Sequence, residues 1–474
     1  MRGRRRAEAC GELRWRRPAR RKTPQKFFCN PFTAVGVFFS FFPFFVKRRI
    51  YLIFGRRRGR PGLFLGGSFF AFIPQLMRGG TMLRTLRKLI PRGYLELDGF
   101  LHPRTWQRTM STQNAQLQPE MLRAAFITSE NDPAKHGEDH IGRYYTLSAE
   151  EVRTMLPHGL PARFKLQMKT FNEACIMIRQ PALELISYLK HTNLAHPAVR
   201  YLLYGEKSTG KTMVLCHAVH YCARQNWVIV HIPNVHLWVR NCKELLPSSY
   251  NPERLDQPME AANWLKNFRI TNEKILAQIK TQQKYVWGKR DVTEEGCSLI
   301  DLTDKGLAWV KYASDTIGVI LKELKQQSCQ GSFRLLVAVD GINSLWGKTV
   351  LKHNKQNVSV EELTLIHNLR KMVANDWTGG AVVATLSQTG APSTLRHFYL
   401  PHELLGRDGF AALEPFVPIQ VRDYTDLEFE SCYQYYLERK WLGHEKAGTK
   451  EGRLELRFLS GCNPGLFERI SAFL

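Results

Sequence analysis

One run of eight residues constrains this chain more than any other part of its sequence. Residues 205–212 read Gly-Glu-Lys-Ser-Thr-Gly-Lys-Thr, a complete G-x-x-x-x-G-K-[ST] pattern. The glycines let the backbone wrap around an anion with its N–H groups pointing inward, the lysine reaches the β and γ oxygens of a nucleoside triphosphate, and the threonine hydroxyl binds magnesium. A short apolar run, Ala198–Tyr204, precedes the motif and a helical pattern, Lys211–Arg224, follows it. The sequence therefore predicts a strand, a phosphate-binding loop (P-loop) and a helix whose N-terminus faces the phosphates.

We predict that the nucleotide is bound by Gly205, Glu206, Lys207, Ser208, Thr209, Gly210, Lys211, Thr212 and Met213.

A second apolar run supplies a carboxylate for the same site. Residues 333–340 read Phe-Arg-Leu-Leu-Val-Ala-Val-Asp, the form of a Walker B strand. In P-loop folds a strand adjacent to the P-loop strand ends with an acid that holds magnesium opposite the threonine. Thr212 and Asp340 are therefore the predicted magnesium ligands.

Strand and helix patterns alternate from residue 198 to residue 421, which predicts a three-layer α/β sandwich with a mainly parallel sheet. An additional strand between the P-loop strand and the Asp340 strand resembles the AAA-type branch of P-loop NTPases. We assign residues 161–425 to this nucleotide-binding domain, with a largely polar and helical insertion at 247–330. Residues 426–474 have the spacing of a small C-terminal helical lid.

The insertion alternates cations with aromatic side chains, and two explanations stay open. Such a mixture can contact RNA through phosphates and stacked bases, or the aromatics can be buried between helices. The residues concerned are Trp264, Lys266, Phe268, Arg269, Lys274, Lys280, Lys284, Tyr285, Trp287, Lys289 and Arg290.

The sequence lacks groups that hydrolysis of the nucleotide would need, and no catalytic residue is identified. AAA-type ATPases place a glutamate directly after the Walker B aspartate, but Gly341 stands there. Gly465 stands where the lid would bring an arginine, and the nearest arginine is Arg469. Without these groups phosphoryl transfer loses most of its charge stabilisation. We expect slow or absent hydrolysis of the nucleoside triphosphate.

Three residues could replace the missing group: Glu361, Glu362 and Gln388.

Adenine and guanine are equally open from spacing alone. Residues 354–357 read Asn-Lys-Gln-Asn, so the aspartate of a guanine-reading N-K-x-D motif is missing.

The first 81 residues differ from the rest of the chain in charge. Residues 1–81 hold nineteen Lys/Arg and two acids, which is +17 of the formal +26. Prolines interrupt its Phe-rich run, so we expect no stable membrane insertion and interpret residues 1–81 as a non-native or upstream extension, with Met82 as the usual start. The basic, amphipathic pattern of residues 82–112 predicts a mitochondrial transit peptide. Residues 113–160 are polar and predict an extended arm.

The cysteines and histidines give no clear metal-binding or disulfide pattern. Ten cysteines are scattered without a C-x-x-C pair, which indicates a reducing compartment. We interpret His217 and His220 as packed helix residues, and the group at 136–140 as a solvated loop.

Four segments carry a resemblance to a known family: residues 131–137, 201–212, 336–343 and 367–372. Over about residues 125–474 the chain resembles the death-associated protein 3 family, GTP-binding proteins of the mitochondrial small ribosomal subunit. Ser208 stands where we expect glycine in the family's loop. The resemblance implies a mitochondrial matrix location, bound GTP or GDP with Mg²⁺, and a reported pro-apoptotic role.

The resemblance also implies partners. They are the small-subunit rRNA and ribosomal proteins, the large subunit across the intersubunit face, and death-signalling proteins. The leading hypothesis is a structural GTP-binding ribosomal protein that supports mitochondrial translation. The alternatives are a nucleotide-switched death-signalling adaptor and an AAA-type ATPase.

Overall fold

The computed structural model describes residues 126–389 and 397–472, which lie within one compact unit of the chain. The predictions for residues 1–81 and 82–112, and for the first part of the arm, lie outside the described residues. The strands are β1 Tyr144–Leu147, β2 Ala174–Met177, β3 Val199–Tyr204, β4 Val228–Ile232, β5 Leu246–Pro247, β6 Leu255–Asp256, β7 Tyr285–Gly288, β8 Asp291–Thr293, β9 Leu335–Asp340, β10 Lys352–His353, β11 Gln356–Asn357, β12 Gly380–Thr385 and β13 Val417–Gln420.

The α-helices of the described part follow from the N-terminal side. They are α1 Ala149–Met155, α2 Ala162–Phe171, α3 Gln180–His191, α4 Lys211–Arg224, α5 Val235–Arg240, α6 Pro258–Leu276, α7 Leu299–Ala308, α8 Ala313–Cys329, α9 Thr364–Met372, α10 Pro401–Leu413, α11 Asp426–Glu438, α12 Lys450–Ser460 and α13 Pro464–Ser471.

A five-stranded parallel sheet forms the centre of the fold, in the order β13-β3-β12-β9-β4. All four neighbouring pairs are parallel. Near-continuous apolar runs such as Leu335–Val339 form these strands because helices cover both faces of the sheet. The predicted parallel α/β fold is confirmed.

The order of the strands differs from one expectation. β12 lies between the P-loop strand β3 and β9, so the strand that ends at Asp340 is not adjacent to β3. The register aligns Thr385 of β12 with Asp340 and also with Leu203 of β3. The carboxyl ends of the three strands therefore meet at one edge of the sheet.

Two clusters of buried side chains fill the faces of the sheet. On one face Val337 and Val382 pack with Phe268 of α6 and Leu324 of α8. On the other face Ala338 and Val383 pack with side chains of α3 and α4. Because successive residues of a strand point to opposite faces, each strand supplies both clusters. The result is helix, sheet and helix, as a three-layer sandwich requires.

The structure corrects the prediction of an extended arm for residues 126–160. β1 pairs with β2 in antiparallel register, and α1 begins with a capping box formed by Ser148 and Glu151. Tyr145 and Leu156 are fully buried in the same cluster as α4. These apolar side chains pack the segment onto the body.

The structure also corrects the solvated-loop interpretation for one histidine. His136 is buried, and its Nδ1 lies 3.1 Å from Nε2 of His217. His217 and His220 are buried on α4, as predicted for packed helix residues.

The insertion buries the first of its aromatic side chains. Trp264 and Phe268 stack with centroids 4.8 Å apart, and Trp264 Nε1 donates to the carbonyl of His231. These two rings are core residues, as the alternative explanation held. Helix α6 of the insertion ends at Leu276, and the short hairpin β7–β8 follows.

Three helices, α11, α12 and α13, follow β13. We call residues 426–472 the C-terminal lid. Phe429, Tyr436 and Phe467 form its own apolar cluster together with Tyr144 from β1. No helix within the two described ranges is long and apolar enough to cross a bilayer.

Candidate functional site

The P-loop connects β3 to α4 at the carboxyl edge of the sheet. Its backbone takes positive φ at Gly205 (+147°), Ser208 (+68°) and Gly210 (+98°). Glycine is also required at position 205 for steric reasons, because a Cβ there would lie 2.2 Å from the carbonyl oxygen of Val421. Ser208 occupies the left-handed region that favours glycine, which gives a physical reason for expecting glycine at this position.

Lys211 points back under the loop that precedes it. Its Nζ donates to the carbonyl oxygens of Gly205, at 2.8 Å, and Glu206, at 2.5 Å. Burial lowers the pKa of Lys211 to about 8, while the Asp340 carboxylate acts in the opposite direction. A phosphate group would favour the charged form of this amine.

Thr212 and Asp340 are brought together, as the magnesium prediction requires. The Thr212 hydroxyl donates to Asp340 Oδ2 at 2.7 Å, and the Thr385 hydroxyl donates to Oδ1 at 2.5 Å. Burial raises the pKa of Asp340, although both hydrogen bonds lower it. A hydroxyl and a carboxylate are hard oxygen ligands that suit Mg²⁺. Within the described ranges, no group of three or more His, Cys, Asp or Glu could hold a metal.

The remaining predicted binding residues belong to the loop itself and to the first turn of α4. Thr209 is buried, and its hydroxyl donates to the carbonyl of Glu206 at 3.1 Å. The side chains of Glu206 and Lys207 are exposed. Met213, in the first turn of α4, packs against the core cluster on that face. Among the described contacts, Lys207 contributes through its backbone and Met213 through packing. The Glu206 carboxylate also raises the pKa of Lys211, against the effect of burial.

Three successive carbonyls of the loop accept hydrogen bonds from outside it. Asn463 Nδ2 donates to Lys207 O at 3.1 Å, and the Gly465 N–H donates to Ser208 O at 3.1 Å. Arg179 Nη1 donates to Thr209 O at 2.6 Å. Gly465 approaches so closely that a Cβ there would lie 2.5 Å from Ser208 Cβ.

With this geometry in place, comparison with known proteins identifies the family. The family model described as mitochondrial ribosomal death-associated protein 3 matches residues 176–470, which include the P-loop, Asp340 and most of the lid. The chain belongs to this family. Its members are mitochondrial, so the predicted mitochondrial location is confirmed.

Individual relatives agree with this assignment. Small ribosomal subunit protein mS29 of Mus musculus is 57% identical over 390 residues, 82% of this chain and 97% of the mouse protein. The protein of the same name from Bos taurus is 56% identical over 397 residues, 83% of this chain and 100% of its own length. The Neurospora crassa protein of that name is 24% identical over 178 residues, 36% of each chain.

Three residues were candidates to replace the missing Walker B glutamate. Only one of them, Gln388, contacts the P-loop among the described residues. Gln388 is buried, and its Nε2 donates to Gly205 O at 3.0 Å. Glu361 forms an ion pair with Arg370, and Glu362 belongs to a capping box. Gln388 is an amide and cannot act as a general base.

Sequence reasoning missed Arg179, Thr385 and Glu428. Arg179 lies 26 residues before the loop's first glycine, and Glu428 lies in the lid; neither belongs to a motif. Both are buried beside the site. Thr385 ends the apolar strand β12, and a polar residue at the carboxyl end of such a strand is the signal that could have identified it.

Proposed function

We propose that this chain is a GTP-binding structural component of the mitochondrial small ribosomal subunit. The observation that carries the nucleotide part is the P-loop itself, with its positive-φ backbone and with Lys211, Thr212 and Asp340 close together. The ribosomal part follows the names of the relatives in mouse and cattle. Partners of the proposed assembly are the small-subunit rRNA, its proteins and the large subunit.

The described residues fit a magnesium-bound nucleotide. Backbone N–H groups of the loop and the Lys211 ammonium would hold phosphate oxygens, and Thr212 with Asp340 would hold Mg²⁺. When bound, the ion neutralises charge on the phosphates. Guanine is proposed from the family resemblance, and GTP or GDP would then occupy the loop.

Holding of nucleotide is favoured over turnover. Gly341 follows Asp340, has a positive φ of +79°, and donates its N–H to the Thr385 hydroxyl. It carries no group that could accept a proton from water. Gly465 contacts Ser208 where an AAA-type lid would place an arginine, and Arg469 is exposed. The position of β12 between β3 and β9 favours the AAA-type branch of P-loop folds, but with weak or absent hydrolysis.

The direct experiment identifies the nucleotide. The purified protein is denatured, and the released nucleotide is separated by ion-exchange chromatography. Guanine nucleotide at about one equivalent is expected; its absence, or the presence of adenine nucleotide alone, would contradict the proposal.

Sedimentation of mitochondrial lysate tests whether the protein belongs to the small ribosomal subunit. The protein is expected to sediment in the small-subunit peak. A fraction outside that peak whose amount changes with added GTP would favour the death-signalling adaptor.

Loss of the P-loop lysine gives a quantitative prediction. Lys211→Ala should lose bound nucleotide and, through mass action, lower stability by RT ln(1 + [L]/Kd), which is about 2.7 kcal/mol at a hundredfold excess over Kd. The measurement is the melting temperature with and without added GTP and magnesium. Lys169→Ala, which removes an exposed lysine of α2 outside the loop, is the control and should keep the GTP-dependent rise. An equal rise in both variants would contradict a role for Lys211.

A further inference from the structure

The outer side of the P-loop is held by donors from two distant parts of the chain. We infer that these donors make nucleotide binding and docking of the C-terminal lid one coupled event, with Arg179 and Asn463 as positioning residues. The inference rests on the proposed function, because it concerns how the proposed nucleotide site is kept in its binding shape.

The geometry of the loop supplies the first step. The carbonyls of Lys207, Ser208 and Thr209 all point outward, toward Asn463, Gly465 and Arg179 respectively. A peptide unit is planar and trans, so each carbonyl is opposed by the N–H of the next residue. The N–H groups of residues 208–210 therefore point away from the donors, toward the inside of the loop. These are the groups that a P-loop uses for phosphate.

Arg179 is held in a network that includes the lid. Its Nε donates to Glu428 Oε1 at 2.9 Å and its Nη2 to Oε2 at 3.1 Å. Nη2 also donates to the carbonyls of Arg422, at 3.0 Å, and Asp423, at 3.1 Å. Arg179 is buried, and its guanidinium lies over the ring of Tyr424. One side chain thus joins the P-loop, the segment after β13 and helix α11.

Asn463 connects the loop to the last helix. Its Oδ1 accepts from the Leu466 N–H at 3.1 Å and so caps α13. Its Nδ2 donates to Lys207 O and, at 2.7 Å, to Asp423 Oδ1. The same amide therefore begins a lid helix and orients the loop.

Coupling of this kind is reciprocal. If a docked lid keeps the loop N–H groups turned inward and so favours nucleotide, bound nucleotide must favour the docked lid by the same factor. The lid helices α11 and α13 should therefore be more protected when nucleotide is bound.

Two variants that each alter a helix cap distinguish the positioning role of Asn463 from a general loss of stability. Asn463→Ser keeps an acceptor that can cap α13 but removes the amide that donates to Lys207 O and to Asp423 Oδ1. Thr449→Ala removes the cap of α12, where Thr449 Oγ1 accepts from the Gly452 N–H, and does not touch the P-loop. The dissociation constant for GTP in magnesium chloride should rise about threefold to tenfold in Asn463→Ser, the effect of one hydrogen bond, and stay unchanged in Thr449→Ala. Arg179→Lys, which keeps the charge but loses the fork of donors, should weaken GTP at least as much.

Amide hydrogen exchange in the full chain gives the reciprocal measurement. Addition of GTP should slow exchange in α11 and α13 of the wild type, and slow it less in Asn463→Ser. Equal GTP affinity in Asn463→Ser and Thr449→Ala, or lid exchange that GTP leaves unchanged, would overturn the inference while leaving the proposed function intact. A wild-type protein that binds no GTP would refute the proposed function and the coupling together.

Discussion

Gly205 satisfies a steric demand that no residue with a side chain can meet at the start of the P-loop. Its φ of +147° is combined with close backbone contact, since a Cβ would lie 2.2 Å from Val421 O. The contact belongs to the sheet itself, because the Val421 N–H donates to Tyr204 O at 2.8 Å. The loop cannot move away without breaking the end of the β3–β13 pairing.

Gly205→Ala should therefore destabilise the protein strongly. We expect a loss of about 2–4 kcal/mol from backbone strain and overpacking. Urea unfolding followed by circular dichroism measures it. Gly137→Ala is the matched control, because φ there is −130° and no atom lies within 4 Å of the added Cβ. Similar midpoints for both variants would show that the β13 contact is not rigid.

Residues of the site were predictable where they are contiguous in sequence. The pattern at 205–212 identified the loop because each of its positions has a local backbone or phosphate-binding requirement. Asp340 was predictable because an apolar strand ends there. Arg179 and Glu428 meet across 249 residues, and nothing local to either one signals the other.

At the scale of elements, three ion pairs among the described residues join the lid to the body: Arg179–Glu428, Arg439–Glu173 and Arg163–Glu468. The first two differ in exposure. Arg179 and Glu428 are 7% and 2% exposed, and the carboxylate accepts from both Nε and Nη2. Arg439 on the lid and Glu173 on the body are 26% and 22% exposed. Removal of one partner from a buried pair leaves an uncompensated charge, whereas solvent screens the second pair.

Neutralising each acid should reveal this difference. Glu428→Gln should lower the free energy of unfolding by about 3 kcal/mol, because it leaves the Arg179 charge buried. Glu173→Gln should cost about 1 kcal/mol or less. Guanidinium chloride would weaken both pairs, so urea denaturation is the suitable measurement. A larger loss in Glu173→Gln would mean that the exposed pair dominates lid docking.

Elements were predictable from sequence to the extent that their pattern is local. The strands β3, β4, β9 and β12 are apolar runs, and their alternation with helices indicated a parallel sheet. The pairing of β1 with β2 was missed because β1 is short, lies in a polar segment, and is stabilised by a partner about thirty residues away. The strand order was also beyond local reasoning, since β12 enters the sheet between strands that precede it in the chain.

At the scale of the whole molecule, neutral histidines lie in the buried interior. Burial lowers the pKa of His220 to about 4 and that of His231 to about 3. Both ring nitrogens of His231 lack a hydrogen-bond partner. Gly159 packs against this ring so closely that a Cβ there would lie 2.2 Å from His231 Cε1.

Stability should accordingly fall with acidification. A folded-state pKa below the unfolded value of about 6.5 means that the unfolded chain binds more protons between those two values, so stability is present above pH 6.5 and is lost as pH falls toward 4 and then 3. Each histidine contributes a slope of about 1.4 kcal/mol per pH unit in that window. Melting temperatures from pH 7.5 to pH 4.5 measure the slope. His231→Gln should flatten it, while the exposed His191→Gln should leave it unchanged; an unchanged slope in His231→Gln would contradict the assignment.

The contact between Gly465 and Ser208 has a consequence for how this family can vary over evolution. The two positions share one small volume, because a Cβ at 465 would lie 2.5 Å from Ser208 Cβ. A family member can therefore carry a side chain at the loop position or at the lid position, but not at both. Any relative that gains a lid side chain at this position, such as the arginine of an AAA-type motor, is expected to carry glycine at the loop position that Ser208 occupies.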